Sequence, residues 1–452
     1  MRMRVKSIVK RAISLIVLLT LGFSRIDLVG GEIDYENPIQ IVSPNPDSQS
    51  NFGYSVEVTE DLVIVGEAKA KVEQYSSAGR VHVFNHQGEH LYSLQSPAPN
   101  YNNMFGIEVV SNGEQILVSE QNAIVDNKNL AGKVYLYSKD GELLETLVSP
   151  EPEPNAYFGW GISFCENKFV VGEPDAQTKW KIGRAYLYSK NGTFLTELLN
   201  YSAPQEVVYV FCNAVGMSDN IIVVGECRGD DRAGRVYLFD ADGQYIKSFQ
   251  EPEPELGAYF GYMVDTHGER IVVSSNCADV DEMDDAGEAF IYDAQGNIIK
   301  SIASPNPGTG NQFGCSVAVD DSMIVVGEYL CDGTFVNEGR AYVYDLDGNL
   351  LHTLVAPEPS NGAEFGWAVD VHNGVIAVSE YKAKVEDEVR AGKVYLFGLG
   401  ESTAEPSVEK ETTEPELEPD TDDTGAWIPG FPVVALVLGL LCTTIFIAQR
   451  KR

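Results

Sequence analysis

Positive charge is what this sequence has least of. Its 452 residues hold 32 Lys and Arg against 67 Asp and Glu, a formal net charge of −35. A nucleic-acid partner would need a basic stripe to displace counterions from phosphates, and none is present. Histidine is scarce too, with six in all, so an imidazole-based active site has few options. Three of them, His82, His86 and His90, fall on strand, turn and strand rather than on one helix face, and are expected as a surface cluster, not a zinc site. No nucleophile elbow, zinc-protease helix, phosphate loop or dinucleotide fingerprint occurs. The reading is therefore non-enzymatic; the enzyme alternative is a polysaccharide hydrolase or lyase built from carboxylates alone.

Long apolar runs are missing except at the two ends. Residues 1–31 open with basic residues and an apolar core, which predicts a secretory signal peptide. Residues 401–425 are acidic and rich in Thr, Pro and Glu. They lack the apolar surface to offset ordering entropy and predict a disordered tether. Residues 426–452 carry an apolar stretch long enough to span a bilayer, then Arg450, Lys451 and Arg452, which should stay cytoplasmic. Between these ends, residues 32–400 should form one exported globular domain at the cell surface.

That domain repeats. Phe52, Phe105, Phe158, Phe211, Phe260, Phe313 and Phe365 occupy one slot, with gaps of 53, 53, 53, 49, 53 and 52 residues. Gly follows each Phe except at Phe211, where Cys212 stands. Each unit contains two pairs of short Val/Ile/Tyr/Leu runs joined by Asp/Gly/Asn turns, as in "FGCSVAVDDSMIVVGE" and "EGRAYVYDLDGNLLHTL". Four antiparallel strands in about fifty residues, repeated seven times, predict an all-β, seven-bladed propeller. The seventh unit lacks a fourth strand and Ile39–Val42 is an orphan, so the orphan should close the ring. Stiff leaders such as "SPEPEP" read as blade junctions, with Phe158 packed between blades and Gly159 permitting close backbone approach.

The phrases Phe-Gly-x-Ser/Ala-Val, "IVVGE" and "GRVYLY" resemble the FG-GAP repeats of integrin-α-type propellers across roughly residues 38–400. The resemblance implies a β-propeller used in extracellular recognition. Many integrin members carry calcium loops between the first two strands, but here those turns ("VTEDL", "VSNGEQ", "VDDSM") are short and poor in ligands. Pro429-Gly430-Phe431, the apolar segment and the basic end together resemble the PGF-type C-terminal sorting signal of archaeal surface proteins. That likeness implies membrane attachment through the helix or through a lipid anchor exchanged for it.

Six units end the second strand with Glu (Glu67, Glu120, Glu173, Glu226, Glu328, Glu380) and open the third with a base (Arg80, Lys133, Arg184, Arg235, Arg340, Lys393). The fifth has Ser275 and Glu288 instead. The joint loss predicts cross-strand ion pairs, the alternative being a metal or ligand ring. The second-to-third and blade-to-blade loops emerge on one acidic face and differ between copies, which makes that face the expected recognition surface for an extracellular glycan or protein. Its metal candidate is the calcium-type cluster Asp279, Asp281, Glu282, Asp284 and Asp285 in "DVDEMDD"; no other cofactor is expected. The tripeptide Arg228-Gly229-Asp230 reads as coincidence. Cys212 with Cys227, and Cys315 with Cys331, are expected as disulfides, and Asn191 and Asn200 as glycosylation acceptors. The function read here is an envelope-anchored binding or adhesion module; the alternative is a structural coat component without a specific ligand.

Overall fold

A computed structural model of the chain describes residues 34–175, 183–198, 214–228 and 232–398. The expected signal peptide, tether and C-terminal membrane segment lie outside these residues. So do Phe211, Cys212, Asn200, Gly229 and Asp230. Among the described residues no helix is long and apolar enough to cross a membrane.

Short Val/Ile-rich runs separated by turn residues give strands of three to eight residues, arranged as seven four-stranded antiparallel sheets. Blade 1 runs Phe52–Val58, Leu62–Glu67, Arg80–Asn85 and His90–Gln95, from the inner strand outward. In the seventh blade the outermost strand is Ile39–Val42, paired antiparallel with Lys393–Phe397. Ile39 faces Leu396, and Gly398 N–H donates to the Asp34 carbonyl at 2.9 Å. The orphan strand thus closes the ring, and it brings both ends of the described chain to the face that carries the short turns.

The second and third strands are buried on both sides because each blade is covered by its neighbours. One apolar cluster joins Val81, Val83 and Leu94 of blade 1 to Phe105, Val109 and Tyr135 of blade 2. Phe158 is fully buried among Leu136, Val134 and Tyr186, and complete burial of such a side chain stabilises by about 2 kcal/mol. Gly132 sits just before the third strand at φ +87°, where a Cβ would lie 2.1 Å from the Phe158 carbonyl oxygen. Gly159 at φ +90° would drive one to 2.7 Å from Val134. The Phe-Gly pair is therefore a packing joint: the ring fills the gap between blades and the glycines let two backbones touch.

Outer strands are half-solvated, and their pairing with the third strand shifts register at one recurring place, as at Leu136/Tyr137 and Val343/Tyr344. Bulges of this kind twist an edge away from further strand addition.

Candidate functional site

The expected register between the second and third strands holds: Glu67 faces Arg80, Glu173 faces Arg184 and Glu380 faces Lys393, while Ser275 faces Glu288. At Glu173, Glu328 and Glu380 the base turns to another acid instead. Arg184 reaches out to Glu151 (2.9 Å) and Glu197 (3.8 Å), Arg340 to Glu338 (3.6 Å) and Lys393 to Glu358 (3.7 Å). The glutamates point inward instead, because the tyrosine two residues beyond the base supplies a donor within the blade. Tyr135 donates to Glu120 at 2.6 Å, Tyr186 to Glu173 at 2.9 Å, Tyr342 to Glu328 at 2.6 Å and Tyr395 to Glu380 at 3.1 Å. Tyr237 donates to Glu226 in the same way.

A serine from the preceding junction completes the knot, 24 residues upstream: Ser149 donates to Glu173 (3.0 Å), Ser304 to Glu328 (3.1 Å) and Ser43 to Glu67 (3.3 Å). In blade 1, His82 replaces the tyrosine and its Nε2 lies 2.9 Å from Glu67. His82 is thus fully buried rather than part of a surface cluster. Blade 5 exchanges the partners: Glu251 stands in the junction and Ser275 in the strand, and Ser275 donates to Glu251 at 2.8 Å. Blade 5 keeps its buried carboxylate from the other side. Burial raises the Glu173 and Glu380 carboxyls to about 7, and raises Glu120, Glu251 and Glu328 as well. The six-membered acid series is architecture.

The long loops of blades 1, 2, 5 and 7 differ in side chain but share one backbone. Val72–Tyr75, Val125–Lys128, Val280–Met283 and Val385–Glu388 close the same small antiparallel turn. Asp281 (φ +59°) occupies the position of Glu73 (+52°), Asp126 (+51°) and Glu386 (+52°). The expected calcium cluster is the blade-5 copy of this turn. Asp279 Oδ1 is taken by the Asp285 N–H (2.9 Å), and Asp279, Asp281, Glu282, Asp284 and Asp285 are not drawn around a common point. Among the described residues no group of three or more His, Cys, Asp or Glu is placed to hold a metal ion.

Cys315 and Cys331 are separate thiols, not the expected bridge. Cys315 points across the blade interface and donates to the Gly366 carbonyl (3.3 Å), whereas Cys331 is buried beside Glu328. Cys227 is also a free thiol; its expected partner lies outside the described residues. Asn191 is exposed in a short turn, as a glycosylation acceptor requires.

The inner strands enclose a central channel of about 930 Å³. Where it opens onto the long-loop face it is lined by the residues two places after six of the framework Phe: Tyr54, Ile107, Trp160, Tyr262, Cys315 and Trp367. Trp367 is stacked on Tyr381 at 4.3 Å, lies edge-on to Tyr329 (5.1 Å) and Tyr54 (5.5 Å), and donates its indole N–H to the Tyr54 carbonyl at 3.1 Å. Beside this cluster Lys382 pairs with Glu364 (2.6 Å) and sits 5.0 Å from the Tyr381 ring centroid. The collar is thus largely aromatic, with Tyr54, Trp160, Tyr262 and Trp367 in part exposed. It was missed in the sequence because the two-residue offset from Phe looks like ordinary strand alternation.

No curated protein matches the chain in sequence. The FG-GAP repeat family model matches residues 300–344 and 350–397. These stretches span part of the outer strand of blade 5, nearly all of blade 6 and the three strands of the seventh blade from Phe365 to Phe397, so this part of the ring matches FG-GAP repeats and the other blades reproduce its strand order.

Proposed function

We propose that this chain is an exported, envelope-anchored binding module that presents its long-loop face, with the aromatic channel mouth at its centre, to an extracellular glycan or protein. The observation that carries the reading is where the chain enters and leaves the ring. Asp34 and Gly398 meet on the short-turn face, which leaves the long-loop face clear of both ends of the described chain. The FG-GAP fold is consistent with such a module, and rigid scaffolds commonly carry recognition on loops of one face.

Binding of the purified protein to isolated envelope glycans and proteins tests this. Saturable binding should weaken when Asp126 and Glu386 on the long loops are changed to Lys, and survive Asp140→Lys and Asp347→Lys on the short-turn face. Absence of any saturable binding would favour a coat component, and turnover of a polysaccharide in the same samples would favour an enzyme.

A further inference from the structure

Below the aromatic collar the channel wall is acidic on several blades. Glu57, Asp265 and Asp370 each stand five residues after their framework Phe, on blades 1, 5 and 7, and Glu108 projects from blade 2. Three of the four tie neighbouring inner strands together. Glu57 accepts from the Ser111 N–H (2.8 Å), Asp370 from the Val58 N–H (2.5 Å) and Asp265 from the Val319 N–H (2.8 Å). Their first role is therefore structural: they satisfy backbone donors on an inner strand that has no further strand beside it. Glu108 has no such task, and its carboxylate accepts no hydrogen bond from any described residue while facing the lumen.

Little positive charge offsets these four. Among the described lining residues there is no lysine, and the only arginine is Arg228. At the far end His267 lies 3.2 Å from Asp321 and His372 3.7 Å from Glu60, so each imidazole already has an acid of its own. Burial and mutual repulsion hold Glu57 well above the usual carboxylate range, and burial lifts Glu108 to about 8. With no cation beside them these acids hold protons at neutral pH, and a cation seated among them would release those protons.

The form of that charge follows from the spacing. The four carboxylates sit on separate blades and do not gather into a set that could share one metal ion. A complementary ligand must spread its charges and join them by an apolar chain narrow enough to pass the collar, where methylenes beside charged nitrogens pack well on aromatic faces. We infer that the channel binds a linear polyamine, with ammonium groups at Glu108 and at the Glu57–Asp370 pair and methylene segments against Tyr54, Tyr262 and Trp367. This site lies in the hub of the ring and goes beyond the face-binding reading; failure of envelope binding leaves it standing.

Titration calorimetry of the full chain with spermidine at physiological ionic strength tests the inference. The expected result is a single saturable site that Glu108→Gln weakens by about tenfold or more, while Asp281→Asn with Asp284→Asn on the exposed loop leaves it unchanged. Matching melting curves for wild type and Glu108→Gln establish that the channel variant is folded. Glu57→Gln, which keeps an acceptor for Ser111, should weaken the site as well. Many weak sites equally insensitive to both sets of variants would overturn the inference, since that is adsorption to a polyanion. Calcium binding sensitive to Glu108→Gln, without spermidine binding, would overturn it in favour of a metal site.

Discussion

At the scale of single residues, the informative feature is a carboxylate buried without a cation. Glu173 is fully buried and takes its hydrogen bonds from Tyr186 and Ser149, while Arg184 pairs with Glu151. A lost donor at such a site leaves a buried oxygen without its partner, so Tyr186→Phe should destabilise the fold by about 1–3 kcal/mol, read as a lower denaturation midpoint with unchanged slope. The pH dependence follows from the same groups. Burial raises Glu173 and Glu380 to about 7 and Glu108 to about 8, above the roughly 4.3 of a glutamate in an unfolded chain. The native state then holds more protons than the unfolded state at neutral pH, so stability falls as pH rises through the folded values. Thermal melting should occur at higher temperature near pH 5 than near pH 8. A midpoint that climbs with pH across this window would contradict the burial of these acids.

At the scale of the blade, the repeat is held by joints that tolerate no Cβ. Gly132→Ala would strain a left-handed residue and press a methyl carbon onto the Phe158 carbonyl. The backbone strain alone should cost about 1–3 kcal/mol, and the contact adds to it; differential scanning calorimetry reads the loss. The strand pattern, the Phe-Gly joint and the Glu-to-base register were legible in the sequence because each lies within one unit and recurs at fixed spacing. The Ser–Glu–Tyr knot was not. Its serine belongs to the junction before the blade, and the exchange of Glu251 with Ser275 made blade 5 look as though it had lost its acid when it had only moved it. The loop "DVDEMDD" misled for the opposite reason: its composition suggests a ligand cluster, but the backbone repeats a turn that blades 1, 2 and 7 build from other residues.

At the scale of the whole molecule, closure is the property on which the rest depends. Ile39–Val42 is the only outer strand that comes from the opposite end of the described chain. Removing residues 32–46 should bare the edge at Lys393–Phe397, lower the melting temperature sharply and promote association through that edge; an unchanged melting curve would contradict the closure. The count of blades and the joining strand could be read from the sequence, since both are matters of period and remainder. The channel could not. Its lining comes from inner strands as short as Val109–Ser111, in which alternation has no room to declare a face. A ring of this kind has two faces, an outer rim and a hub, and the proposed recognition lies on the long-loop face and in the hub. Hydrogen–deuterium exchange on the full chain, with and without the envelope fraction it binds, tests that placement most directly. The account predicts protection in the long loops around residues 70–79, 278–287 and 383–392 and at the channel mouth near Tyr54 and Trp367. Protection confined to the short turns or the outer strands would contradict it.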